Sequence, residues 1–299
     1  MADLESACSS TAVANQEPLF ATASLVRSWV LLEQSGPWGL DALRQSDVPD
    51  AVAASLHDLS VRRDVRVLLI RRPGLEDGQR CYVAHSAGPD PWVEERTLSG
   101  ASDLLGLDWE AVAEGRRPGF GVLRTDPLYL VCTNSRHDAC CGRLGRPTAR
   151  ALADAVGGWA WECSHMGGER FAANMICLPH GLYFGRLDPR SAPEVAALHQ
   201  HGQIDLDHYR GRAGDPFLVQ AAEFFARRQL ELRGIDDLLY ESRRALGVDM
   251  VEVGFSRPRG ASITVRVARA PDPQPRALTC HSPVLSSPWT YWLLGMSEG

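Results

Sequence analysis

Between residues 132 and 165 the chain concentrates thiol and imidazole side chains, with four of its eight cysteines and two of its nine histidines. Cys132 ends the apolar run Leu128–Cys132, and Cys163 ends a second apolar run at 159–163. Such runs predict buried strands, and the residues that follow a buried strand lie at the edge of its sheet. Binding and redox sites are commonly built at such edges, so these two strand ends constrain the fold around them.

Composition indicates the class of protein. The first 17 residues have neither a basic start nor an apolar core, so we expect no secretory signal and a reducing, cytoplasmic location. In that setting clustered cysteines serve metal or redox chemistry more often than disulfides. All 31 basic residues are arginine, which excludes mechanisms that need a lysine, such as Schiff-base formation. The net charge of −6 argues against nucleic acid, and the lack of an 18-residue apolar run argues against a membrane span.

The order of predicted elements indicates an α/β (α+β) fold. Strand, helix, strand, hairpin and helix follow one another in residues 18–121 and again in residues 122–214. We therefore predict two related α/β units, of which only the second carries ligands. Residues 1–17 are predicted to be a flexible tail. Residues 215–299 are predicted to form a small α+β extension, because a helical pattern follows Asp215-Pro216 and alternating strands come later.

Cys132 and Cys141 are the first candidate ligand pair. They are separated by eight residues, more than the two to four usual in a zinc knuckle, so we expect a loop that wraps over a larger object. A helix predicted from about residue 147 would point its N-terminus at that object and stabilise its negative charge. Cys163 and His165 follow the neighbouring strand as a second pair. Thiolates select zinc, copper(I) or iron–sulfur clusters, and the spacing alone does not separate zinc from iron.

Several motifs together resemble the sucrase/ferredoxin-like family, whose redox domain is a thioredoxin-like 2Fe–2S ferredoxin. The matching segments are Val-Cys-Thr at 131–133, Arg-His-Asp-Ala-Cys-Cys-Gly at 136–142, residues 164–174, residues 178–186 and residues 208–212, with residues 31–39 matching the family's N-terminal part. The resemblance covers roughly residues 18–235. It implies a thioredoxin-like ferredoxin domain at 122–214 that holds a 2Fe–2S cluster.

The resemblance also implies a ligand set. Some family members are thought to use two cysteines and a His-x3-His motif, which corresponds here to Cys132, Cys141, His165 and residue 169. Residue 169 is Glu169 rather than histidine. Because thiolate suits iron better than carboxylate does, we place Cys163 in the fourth position and predict a Cys3His set. In an extended segment, residues 163 and 165 point to the same side, which allows both to face one cluster.

Other cysteines and histidines are assigned lesser roles. Cys140 remains an alternate to Cys141, and both Glu169 and Cys140 remain alternates for the fourth ligand. His137 in the loop is expected to be structural or solvated. Cys280, followed by His281, is remote in sequence from the motifs, so we expect it to be structural and to contribute no ligand.

Three functions remain in competition. The first is a cytoplasmic electron carrier, without catalytic residues of its own, that uses a 2Fe–2S cluster and an unnamed redox partner protein. Mixed Cys/His ligation would raise its potential above that of an all-cysteine ferredoxin. The second is a zinc-stabilised interaction protein that uses the same Cys3His set. The third is a hydrolase with Cys163 or Cys140 as nucleophile, which ranks last because no orienting acid is evident.

Overall fold

The structure is a computed structural model that describes residues 7–72 and 79–299. It is a mixed α/β fold built on two sheets, which confirms the predicted class. The helices are α1 (Cys8–Ala14), α2 (Asp50–Arg63), α3 (Trp109–Ala113), α4 (Ala139–Val156), α5 (Ser191–Gln200) and α6 (Phe217–Leu230). None of the helices in the described residues is long and apolar enough to cross a membrane.

The larger sheet has ten strands. In chain order they are β1 (Ser28–Glu33), β2 (Val65–Arg71), β3 (Arg80–His85), β4 (Trp92–Thr97), β5 (Val122–Leu123), β6 (Leu128–Cys132), β7 (Ala160–Cys163), β8 (Met175–Leu178), β9 (Leu182–Phe184) and β10 (Tyr209–Arg212). They lie side by side in the order β10-β9-β8-β6-β7-β2-β1-β3-β4-β5.

Within this sheet the same arrangement occurs twice. β1 pairs in parallel with β2 and antiparallel with β3, which pairs antiparallel with β4. β6, β7, β8 and β9 repeat these pairings in the same order and directions. The two sets join where β2 runs antiparallel to β7, with Ile70 opposite Cys163 and Arg71 opposite Glu162. Because one continuous sheet runs through both sets, the boundary proposed near residue 121 stays a prediction.

The parallel pair β6 and β7 places the candidate ligands. Cys132 and Cys163 are direct partners in this pair, so their side chains leave the same face of the sheet at the same edge. That face carries an apolar core, to which α1 contributes Cys8 and the segment before β1 contributes Val26. The opposite face of β6 packs with α4 through residues such as Val131.

Helix α4 begins earlier than its sequence indicates. The proline at 147 suggested a start there, but it lies inside the helix, and the predicted start near 147 is wrong. Asp138 caps the helix instead, because its Oδ1 accepts a hydrogen bond of 2.8 Å from the backbone N–H of Cys140. Cys140 and Cys141 therefore lie in the first turn of a helix rather than in a loop. Consecutive helical residues are about 100° apart around the axis, so their thiols point in different directions.

Helix α1 and a segment near residue 280 meet beside this helix. Residues 1–6 of the predicted flexible tail lie outside the described residues, but α1 is ordered, and Cys8 and Ala12 are buried. The flexible-tail prediction is therefore wrong for residues 8–14.

In the C-terminal part, α6 packs on an antiparallel sheet, which confirms the predicted α+β extension. Its strands are β11 (Leu239–Ala245), β12 (Met250–Ser256), β13 (Ser262–Pro271) and β14 (Trp289–Glu298).

Candidate metal centres

Cys132 and Cys141 lie together at the end of β6. Both side chains are 2% exposed. Hydrogen bonding from the Cys141 thiol, together with the backbone N–H groups of Asn134 and Met166, lowers the pKa of Cys132 although burial opposes the change. The same bond and burial raise the pKa of Cys141. Cys132 is thus the member of the pair that ionises first. The two sulfur atoms are soft donors for a metal ion, and they lie close to each other.

Glycine at position 145 permits this approach of helix and strand. A Cβ atom there would lie 2.0 Å from the backbone carbonyl oxygen of Cys132. Only a residue without a Cβ lets the first turns of α4 pack this closely against the end of β6. The distance between Cys132 and Cys141 therefore depends on Gly145.

His137, His165 and Glu169 form a second part of the same site. The two imidazole rings stack with their centroids 3.6 Å apart. Both rings face one carboxylate oxygen, Glu169 Oε1, which lies 3.2 Å from His137 Nε2 and 2.9 Å from His165 Nδ1. Burial by itself would raise the pKa of Glu169, but the two histidines outweigh it and hold that pKa well below its usual range. Glu169 is therefore an anion between two imidazoles.

The two histidines differ in how their nitrogens are used. His137 Nδ1 donates to the carbonyl oxygen of Leu40 at 3.1 Å, and the hydrogen bond from Nε2 to Glu169 raises the pKa of His137. His165 Nδ1 is buried and close to Glu169, yet it has no geometrically acceptable hydrogen-bond partner among the residues that the structure describes. A buried nitrogen without a partner is costly unless something else binds it.

The two thiols of Cys132 and Cys141 lie near His137, His165 and Glu169, whose ligand atoms are within 4.8 Å of one another, and all five residues are defined here as the cluster group. The thiolate of Cys132 helps to raise the pKa of His137, and Glu169 acts electrostatically on both thiols. The sulfur side is buried, whereas the side chains of His137 and His165 remain 27% and 33% exposed. Both histidines line a cavity of about 460 Å³ that α2 also borders.

Cys163 is beside this group. Its side chain is wholly buried, and burial together with nearby Cys132 and Glu162 raises its pKa. It is the direct partner of Cys132 in the β6–β7 pair and shares its sheet face. Its role as a ligand stays a prediction.

Cys140 belongs to a different set of donors. Its sulfur lies 3.4 Å from that of Cys280 and 3.7 Å from that of Cys8, with Asp138 alongside. Hydrogen bonding from Cys8 is the main cause that lowers the pKa of Cys140 to about 5. Cys280 is remote in sequence from the motifs, but its sulfur lies beside that of Cys140, which belongs to one of them. Cys8, Asp138, Cys140 and Cys280 are named the thiol triangle below.

A buried cation lies behind the cluster group. The Arg210 guanidinium donates to the carbonyl oxygen of Gly167 at 3.1 Å and to Asn174 Oδ1 at 2.8 Å. Burial lowers its pKa to about 10, so it keeps its charge at neutral pH and acts electrostatically on Glu169 and Cys141. The sequence motif at 208–212 contained this residue, but nothing in it indicated that the charge faces the site.

Comparison with known proteins identifies a family. The model of the sucrase/ferredoxin-like family matches residues 19–211, which is more than half of the chain. The match includes the whole ten-stranded sheet except the last residue of β10, and it includes every member of the cluster group. It ends before α6 and the second sheet. Searches of curated proteins and of solved structures gave no match.

Proposed function

The chain belongs to the sucrase/ferredoxin-like family, and on that premise we propose that it is a cytoplasmic electron carrier with a 2Fe–2S cluster at the cluster group. The observation that carries this proposal is the thiol pair Cys132 and Cys141 at the end of β6, with the stacked imidazoles of His137 and His165 near enough for Cys132 to raise the pKa of His137. This donor chemistry suits an iron–sulfur cluster with mixed ligation. When bound, such a cluster accepts and releases one electron.

The side chains of the cluster group suit an iron–sulfur cluster in three respects. The pKa of Cys132 is already lowered toward the thiolate that iron needs. His165 Nδ1 is a buried nitrogen without a hydrogen-bond partner among the described residues, so an iron ion would satisfy it. His137 Nδ1 donates to a backbone carbonyl, the arrangement that usually fixes the tautomer of a metal-bound histidine. We therefore assign Cys132, Cys141 and His165 as ligands.

Two side chains compete for the fourth position. Cys163, which the sequence favoured, offers a soft sulfur on the correct face of the sheet. His137 already stacks on His165 and faces the same carboxylate oxygen, and it only has to lose its Nε2 proton. The contacts favour His137, which would give two cysteines and two histidines. Because His137 Nε2 and His165 Nδ1 are also the atoms that face Glu169, the carboxylate lies next to the position that iron would take.

The surroundings suit electron transfer. Burial of both thiols keeps water from the sulfur side, while the half-buried histidines bring the site to the surface. A redox partner protein would approach at the cavity that His137 and His165 line. Two neutral imidazoles and the nearby charge of Arg210 both favour the reduced state. Clusters with two histidines on one iron have potentials of roughly −150 to +300 mV, against about −400 mV for all-cysteine ferredoxins.

Metal and sulfide analysis of anaerobically purified protein tests the proposal. We expect two irons and two acid-labile sulfides per chain, with visible absorption that disappears in Cys132→Ser and Cys141→Ser. Cys81→Ser is the matched control, because Cys81 is equally buried but belongs to the core around β1 and β3. Stoichiometric zinc without iron, after expression with sufficient iron, would favour the zinc-stabilised interaction protein instead.

The fourth ligand needs a separate experiment. Pulsed electron paramagnetic resonance of the reduced protein counts nitrogen ligands through their hyperfine coupling. We expect two nitrogens in the wild type and in Cys163→Ser, and one nitrogen or no cluster in His137→Ala. A single nitrogen in the wild type, with cluster loss in Cys163→Ser, would return the fourth position to Cys163.

A further inference from the structure

We propose that the thiol triangle binds one zinc ion through Cys8, Cys140, Cys280 and Asp138, as a structural site separate from the cluster group. The four residues come from α1, the start of α4 and the segment between β13 and β14. Neither the family match, which ends at residue 211, nor the sequence motifs assign such a site. The proposal does not depend on the presence of the iron–sulfur cluster.

The spacing of the three sulfurs fits one small ion. The distances are 3.7 Å between Cys8 and Cys140, 3.4 Å between Cys140 and Cys280, and 3.4 Å between Cys280 and Cys8. A tetrahedral zinc ion with Zn–S bonds of about 2.3 Å requires sulfurs about 3.8 Å apart. A small outward movement of each thiol would therefore accommodate zinc. The triangle is compact enough to favour a single ion over a cluster.

Asp138 provides the fourth donor and holds the site together. Its Oδ1 accepts from the backbone N–H of Cys140 at 2.8 Å, and its Oδ2 accepts from the backbone N–H of Cys280 at 2.8 Å. The same oxygens lie 3.9 and 3.8 Å from the sulfur of Cys8. One carboxylate thus connects all three cysteine-bearing segments. Such supporting hydrogen bonds are typical of metal sites, whose ligands are held in place before the ion binds.

Burial and outer contacts agree with a closed structural site. Cys8, Cys140 and Asp138 are almost completely buried, and Cys280 alone is partly exposed. The exposed side at Cys280 leaves a path for the ion. The Ser9 hydroxyl lies 3.2 Å from the sulfur of Cys140, where it can hydrogen-bond to a zinc-bound thiolate. Four protein donors without an open position are the usual form of structural zinc sites.

The ion would connect α1 and the segment between β13 and β14 to α4, the helix that carries Cys141. Cys140 is a zinc ligand in this proposal and its neighbour Cys141 belongs to the cluster group, so the first turn of α4 serves both sites. Zinc binding replaces the thiol protons, which are released to solvent, with metal–sulfur bonds. The alternative is that the three cysteine side chains simply pack together, which predicts no bound metal.

Metal analysis of the full-length protein tests the zinc site. We expect one zinc per chain, lost in Cys8→Ser and in Cys280→Ser, while Cys177→Ser keeps it because Cys177 packs in the core around α4 and α5. After chelation, Co²⁺ added to the wild type should bind at one ion per chain with the absorption of a thiolate-ligated tetrahedral site. Cys280→Ser should lack that absorption while its far-ultraviolet circular dichroism stays unchanged.

Two results would overturn the proposal. The first is a wild-type protein that binds neither zinc nor Co²⁺ at one ion per chain. This test does not depend on whether any variant folds. The second is zinc that persists in Cys280→Ser but disappears in Cys132→Ser, because the ion would then occupy the cluster group. Zinc in the triangle without iron elsewhere would support this proposal and contradict the proposed function, so the two failures are distinguishable.

Discussion

Replacing Gly145 by alanine tests whether the closeness of α4 and β6 makes the site. In an unconstrained helix, alanine is about 1 kcal/mol more favourable than glycine, so the change would normally stabilise the protein. Here the new Cβ would meet the Cys132 carbonyl oxygen at 2.0 Å. That is more than ~1 Å inside the closest ordinary C···O contact of about 3.3 Å. The obstacle is backbone, so it cannot rotate away, and the helix must withdraw.

Withdrawal has two measurable consequences. Overpacking typically costs about 1–3 kcal/mol. Setting this against the gain of about 1 kcal/mol in helix propensity, we expect a net loss of about 0–2 kcal/mol in the free energy of unfolding, measured by urea denaturation. Cys141 moves away from Cys132, so we also expect lower iron content. Gly106→Ala is the control, because nothing lies within 4 Å of its new Cβ. A Gly145→Ala protein at least as stable as the wild type, with full iron, would refute this account of the packing.

Three further predictions concern buried charges. Burial and Glu223 raise the pKa of Asp215 from 3.8 to about 7, so the folded protein loses stability as pH rises through that range. Asp215→Asn should therefore unfold at a higher temperature than wild type at pH 8 but not at pH 4, and a pH-independent difference would contradict this. Burial lowers the pKa of His199 from 6.5 to about 3, so the folded protein loses stability as pH falls between these values. Between pH 6.5 and pH 4, His199→Gln should therefore lose less unfolding free energy than the wild type does, and an equal loss would argue against this. Glu223→Gln should lower the free energy of unfolding, measured in urea, by about 3–5 kcal/mol, because its ion-pair partner Arg227 lies 2.9 Å away with a side chain that is 0% exposed. A loss below about 1 kcal/mol would exclude an essential ion pair.

Local pattern was sufficient for much of the fold. The apolar runs that end at Cys132 and Cys163 became neighbouring parallel strands, because a buried strand requires a run of apolar residues whatever its partners are. The start of α4 was wrong for an equally local reason. Proline at 147 resembles a helix start, but the capping hydrogen bond of Asp138 starts the helix eight residues earlier.

The candidate sites show where local pattern is insufficient. Cys132, Cys141 and His165 belong to family motifs and follow predicted strands, so sequence alone could select them. His137 was assigned to a solvated loop, because its stacking on His165 depends on how that loop folds over the strand end. Cys280 could not be connected with Cys140 from sequence, since 140 residues separate them and no periodicity links a C-terminal segment to a distant helix cap.

The contact between Cys8 and Cys280 has a consequence for how the molecule is made. These residues are 272 positions apart, so the ribosome adds the second cysteine roughly 14 to 54 s after the first at about 5–20 residues per second. Once the turn Glu169–Phe171 has been added, α1 can pack on it, but the thiols of Cys8 and Cys140 still have no third partner. We expect a chain truncated before Cys280 to react there with thiol reagents, whereas a chain that includes this residue covers both sulfurs. Addition of Cys280 thus changes the chemical reactivity of α1.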